Sequence, residues 1–127
     1  MKDSQALVMR IAQAIYDKKG LNIIALDVRE VSTITDYVVI AEGNVDRHVI
    51  AIAKHVEKEL FDAGEGHPAY MEGLQNGDWV VLDYIHVMVH LFVPGLREKY
   101  QLERLWSQGK VLDLALEIPP QTTDAYL

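Results

Sequence analysis

The sequence predicts an α/β domain, built on a single mixed β-sheet of about five strands with helices covering at least one face. Apolar residues recur at three-to-four spacing in two stretches, one near the N-terminus and one after residue 44. Short β-branched runs bounded by turn residues stand between and after them. The 127 residues are 50% apolar and 24% charged, with no internal repeat or low-complexity block, which suits one compact core. Strands with helices before, between and after them pack as layers. The domain is expected to span residues 1–117. The remaining residues, 118–127, read as a flexible tail, because IPPQTTDAYL holds two prolines and no periodicity.

Each element has its own signal. Asp3 or Ser4 can cap a first helix whose apolar positions are Leu7 or Val8, Ile11, and Ala14 or Ile15, and Gly20 stands where that helix should stop. Residues 22–28 and 37–41 read as the first two strands, separated by the polar VSTITD connection. From Val45 the set Val49, Ile52, Val56 and Leu60 returns at helical period until Ala63-Gly64, with Asn44 as the natural N-cap and Asp46 placed to suit the helix dipole. Arg47 is a cation in that same first turn, which the dipole disfavours, so it is expected to reach toward a carboxylate or a partner. GEGHP is a turn, HPAYME a short edge strand, and LQNGD a further turn. Residues 79–83 and 86–93 read as two strands joined tightly at Tyr84-Ile85. Pro94-Gly95 ends the second, and LREKYQLERLW follows as one or two helical turns.

Composition narrows the function. The most apolar windows fall well short of the ~20 residues needed to cross a bilayer. The N-terminus MKDSQALVMR lacks the plan of a signal peptide, so a cytoplasmic location is expected and no membrane partner. The absence of cysteine excludes disulfides, thiolate nucleophiles and cysteine metal sites. A net charge of -7, with the twelve Lys and Arg scattered, leaves no basic face for gripping phosphates. Little direct RNA binding is expected. If the protein works near RNA, a protein component is the handhold.

The stretch GDWVVLDYIHVMVHLF, residues 77–92, concentrates aspartates, histidines and aromatics within β-structure. His86 and His90 lie on one face of a strand, yet four residues at ~3.3 Å each put them roughly 13 Å apart, too far to share one zinc. The order of a strand, the Gly43-Asn44 turn, a helix and a later strand bearing Asp83 resembles a nucleotidyltransferase. Two-metal phosphoryl transfer, however, wants a second carboxylate two residues along, where Ile85 stands. No Gly-rich loop ending in Lys-Ser or Lys-Thr is present, and none of Ser4, Ser32 and Ser107 has a Gly-x-Ser-x-Gly context. Glu42-Gly43-Asn44 could receive an anion with Arg47 and His48, but an ordinary helix cap explains it as well. What remains is a binding set of Trp79, Tyr84, His90, Phe92, Arg97, Tyr100, Leu102, Glu103, Arg104 and Trp106, rich in the residue types that dominate interface hot spots. The competing explanation for Trp79, Phe92 and Trp106 is core filling.

Two blocks carry a family resemblance. TDYVVIAEGNVDRHVIAIA, residues 35–53, follows an aspartate-aromatic pair with an apolar strand and then Gly-Asn, Asp-Arg-His-Val. WVVLDYIHVMVHLFVPGLREKYQLERLW, residues 79–106, supplies the second block, and Pro68 and Glu72-Gly73 match between them. On these residues the chain resembles the ribosomal silencing factor family, also called iojap-like proteins. The resemblance implies a translation repressor that binds the large ribosomal subunit through ribosomal protein fourteen and blocks joining of the small subunit. It implies a nucleotidyltransferase-like fold without catalytic carboxylates, no enzymatic activity and no cofactor. The acidic balance is consistent with docking on a basic ribosomal protein.

The partner-binding residues expected on this basis are Trp79, Asp83, Tyr84, His90, Arg97, Tyr100, Leu102, Glu103 and Arg104. Asp36, Arg47 and Glu72 support them, with Arg47 expected to pair with Asp83 or Asp36. A homodimer through the same apolar surface is plausible for the free protein. The chain departs from the family pattern at Ile85-His86, where Gly-Asp is usual, and at Val45, where a small hydroxyl residue is usual. It also continues past Gly109 beyond the expected family core.

Overall fold

The computed structural model describes residues 3–96 and 107–118. Among these, two helices, α1 (Ser4–Asp17) and α2 (Asp46–Asp62), accompany six strands: β1 (Leu21–Asp27), β2 (Tyr37–Glu42), β3 (Tyr70–Glu72), β4 (Trp79–Asp83), β5 (Val87–Phe92) and β6 (Lys110–Val111). The strands form one sheet in the order β3-β4-β5-β2-β1-β6. β2 and β5 are parallel and the other neighbours antiparallel, so the sheet is mixed as expected. The sixth strand is additional. Its two exposed residues pair with Leu26 and Asp27, and so short a strand carries no readable alternation. The helical turns expected after Pro94-Gly95 fall largely in residues 97–106, outside the described residues, as does the tail from residue 119.

α1 begins where expected, with the Asp3 carboxylate accepting the Gln5 N–H at 3.0 Å. It ends through Lys19 in the left-handed region and the Gly20 N–H bonded to the Ile15 carbonyl at 2.8 Å. For α2 the expected Asn44 cap is replaced. Val45, in extended conformation, is the N-cap residue and has no side-chain cap bond. The Asn44 N–H instead donates to His48 Nδ1 at 2.9 Å, while His48 Nε2 lies 2.8 Å from the Lys18 carbonyl. One neutral tautomer satisfies both, and it ties the start of α2 to the end of α1. Gly43 is required just before, since a Cβ there would come within 2.8 Å of the Val49 nitrogen.

Burial explains the layers. Both helices present aliphatic stripes, Val8, Ile11 and Ile15 from α1 and Val49, Ile52, Val56 and Leu60 from α2, to one face of the sheet. They meet Ala25, Val39, Leu82, Val89 and Leu91 there. All six residues of β2 are buried, because it is central in the sheet and covered on both faces. On the opposite face Leu26, Val38, Ile40 and Phe92 form a second cluster, with Ile24, Trp79 and Leu96 packed against it.

Candidate functional site

Period-two alternation along β4 and β5 decides what this second, outer face displays. Trp79 pairs with Phe92, Val81 with His90 and Asp83 with Met88, and residues paired across neighbouring strands share a face. β3 extends the rows, with Glu72 opposite Val81 and Tyr70 opposite Asp83. Trp79, Asp83, His90 and Glu72, expected from sequence as contact residues, are therefore gathered on one face. Val81, Met88 and Tyr70 stand among them and were missed, although the same alternation, followed strictly, identifies them.

The centre of this face is an aromatic triad. Trp79 Nε1 donates to His90 Nδ1 at 3.0 Å, and the two ring centroids are 5.9 Å apart. Phe92 lies 5.1 Å from Trp79 and is nearly parallel to His90, at 9°. Burial pushes the His90 imidazole down to about 4, so at neutral pH it is uncharged and Nδ1 is free to accept. Trp79 and His90 are half-buried and Phe92 is fully buried, the core role that sequence offered as the alternative for it, so the face presents an indole and an imidazole bordered by Glu72 and Asp83, an arrangement suited to protein recognition. In general, fixed aromatics supply contact area and an acidic border favours a basic partner.

Asp83 serves the hairpin. Its Oδ1 accepts the Ile85 N–H at 2.7 Å, closing a turn in which Ile85 has a φ of 74°. The turn docks on the start of β2, where Thr35 Oγ1 donates to the Ile85 carbonyl at 3.2 Å and the His86 carbonyl accepts from Tyr37 at 3.0 Å. The His86 imidazole lies 3.2 Å from the Asp36 carboxylate, in a largely exposed pair. Asp36 thus sits at the hairpin end of the sheet, beside the face and not on it. On the far side of β4 the loop is held by Gly73, where any Cβ would collide with the Trp79 carbonyl.

Two expectations are corrected. Tyr84 is not on the outer face: it is buried in the helix-side core and the hydroxyl has no hydrogen-bond partner among the described residues. β4 ends at Asp83, and Tyr84 keeps the inward phase of Val80 and Leu82, with which it shares the helix-side core. Arg47 does not pair with Asp83 or Asp36. It opens α2 at the Glu42 end of β2, whereas Asp36 precedes the other end, a separation of about 20 Å along six residues at ~3.3 Å each. Arg97, Tyr100, Leu102, Glu103, Arg104 and Trp106 lie outside the described residues.

Comparison with known proteins agrees with this fold. The family model described as "Ribosomal silencing factor during starvation" matches residues 1–126, continuing past Gly109. The chain is 37% identical over 112 residues to "Ribosomal silencing factor RsfS" of Bacillus subtilis, covering 87% of this chain and 94% of that protein. It is 32% identical over 90 residues to the Mus musculus "Mitochondrial assembly of ribosomal large subunit protein 1", covering 69% of this chain and 40% of that one. A crystal structure of a Chromobacterium violaceum protein superposes with a TM-score of 0.79 at 30% identity, covering 93% and 97% of the two chains.

Proposed function

Because the chain belongs to the ribosomal silencing factor family, we propose that it represses translation by binding the large ribosomal subunit through ribosomal protein fourteen and blocking small-subunit joining. The observation that supports this reading beyond family membership is the outer sheet face, where the half-buried Trp79 and His90, packed on the buried Phe92, stand beside Glu72 and Asp83. The name of the mouse relative, which speaks of large-subunit assembly, points to the same particle. The acidic chain, at a net charge of -7, favours a basic protein contact over bare RNA. The action is steric and cytoplasmic, without cofactor or turnover. Asp83 is engaged in the hairpin turn, and Ile85 stands where a second metal-binding carboxylate would be needed. The same apolar face would support a homodimer of the free protein.

Incubation of the protein with isolated large subunits, followed by pelleting and then by addition of small subunits, tests the proposal. The expected result is co-pelleting at low salt and a reduced yield of joined ribosomes. Folded protein that stays in the supernatant would refute it, and so would magnesium-dependent nucleoside triphosphate turnover without subunit binding.

A further inference from the structure

After β6 the chain leaves the sheet and crosses to α1. β6 covers only Leu26 and Asp27 of the seven residues of β1. The Leu112 N–H then donates to the Ala25 carbonyl at 2.9 Å, and residues 113–116 make no backbone–backbone hydrogen bond among the described residues. Their side chains alternate: Leu112, Leu114 and Leu116 are half-buried, whereas Asp113, Ala115 and Glu117 face solvent. Leu112 and Leu114 pack against the helix-side core, yet a groove of about 460 Å³ stays open between this segment and Ile23 and Ile24 of β1. Close packing, which holds the core of the domain together, is incomplete here.

The far end of the segment is held by one side chain. Gln13, in α1, accepts the Glu117 N–H on Oε1 at 2.7 Å and donates from Nε2 to the Glu117 carbonyl at 3.2 Å. The two bonds copy what a residue of a neighbouring strand would offer Glu117. Nε2 also donates to Asp17 Oδ1 at 2.8 Å, one turn further along α1, which fixes the amide with its oxygen toward the Glu117 N–H. All three bonds are exposed to solvent, where the net worth of each is modest. The contrast is with β2 and β5, paired along six residues in the middle of the sheet.

We propose that residues 112–118 form a strap that opens and closes as one unit while the rest of the domain stays folded, with Gln13 as its latch. Local openings of this kind draw on segments with few buried contacts and with hydrogen bonds exposed to water. Opening bares the Ala25 carbonyl and the apolar surface beneath Leu112 and Leu114. The domain therefore has two states that differ in what the outer edge of β1 offers to solvent, and anything that binds one state better shifts their balance. The strap packs on the helix side, so its opening and the proposed ribosome contact of the outer face hold or fail separately.

Amide hydrogen exchange of the full chain, followed residue by residue with nuclear magnetic resonance, tests the strap through Gln13→Ala. That change frees the Glu117 N–H directly, so the deciding amide is that of Leu112, which is bonded to Ala25 and not to Gln13. In the unaltered protein Leu112 should be less protected than Val39 and Val89 in the centre of the sheet. In Gln13→Ala the Leu112 amide should exchange about tenfold faster, as expected for losing two exposed hydrogen bonds five residues away, while Val39 and Val89 keep their rates. Equal protection of Leu112 and Val39 in the unaltered protein, a Leu112 rate unmoved by Gln13→Ala, or equal acceleration of Leu112, Val39 and Val89 would overturn the proposal.

Discussion

The two faces of the sheet are made of different material. Against the helices, Ala25, Val39, Leu82, Val89 and Leu91 form a mostly aliphatic layer whose packing is non-directional. On the outer face Trp79, His90 and Phe92 place an indole, an imidazole and a phenyl ring in contact, with one directed hydrogen bond at 3.0 Å. Burying polar rings costs free energy unless their polar atoms are met, and here the indole N–H and His90 Nδ1 meet each other. The outer face also holds a buried cluster of Leu26, Val38, Ile40 and Phe92, so both faces stabilise the fold. Under the proposed function the outer one also meets the partner.

The largest expected effect breaks the helix-side layer. Ile52→Ala removes a fully buried side chain and should lower unfolding free energy by about 2–5 kcal/mol in denaturant titration, while the folded fraction keeps its large-subunit affinity. Next, acid should act on the outer face. The folded pKa of His90, about 4, lies below the ordinary 6.5, so as pH falls below 6.5 the unfolded chain takes up a proton that the native chain refuses. Stability from this group is full above 6.5 and lost toward pH 4, by at most about 3 kcal/mol. His90→Gln should flatten that part of the stability profile. Trp79→Phe removes the indole donor and leaves His90 Nδ1 unmet, which should cost about 1–2 kcal/mol of stability. Its effect on subunit binding should exceed that of the Ile52 variant, measured on folded protein. The smallest effect has the opposite sign. Ile85 is β-branched, 60% exposed and at a φ of 74°, so Ile85→Gly relieves strain with little loss of packing and should raise stability by about 1 kcal/mol in thermal melts.

The fold was legible where period and length were generous. The stripes of α1 and α2 and the β-branched runs of β2, β4 and β5 each repeat often enough to declare their type, and the two resembling blocks named the family that the comparisons then established. β6 was not legible, because two residues have no period. Asn44 was misplaced as a cap because residue preference cannot tell that the chain is still extended at Val45, nor that a histidine four residues on would receive the Asn44 N–H. Tyr84 was misplaced for a different reason. It was read as part of the tight connection after the strand and counted among the contact residues, whereas it keeps the inward phase of Val80 and Leu82 and joins the helix-side core. Arg47 was drawn toward carboxylates that are close in no sense but sequence order along the sheet.

The central claim, that the outer face meets the large subunit, is tested most directly by one matched pair of charge reversals. Glu72→Lys changes the exposed border of the outer face, and Glu59→Lys makes the same change in net charge on the exposed side of α2. Both are to be pelleted with large subunits across a salt series. Glu72→Lys should lose retention at moderate salt while Glu59→Lys pellets like the unaltered protein. Equal retention of the two variants, or a loss confined to Glu59→Lys, would contradict the claim.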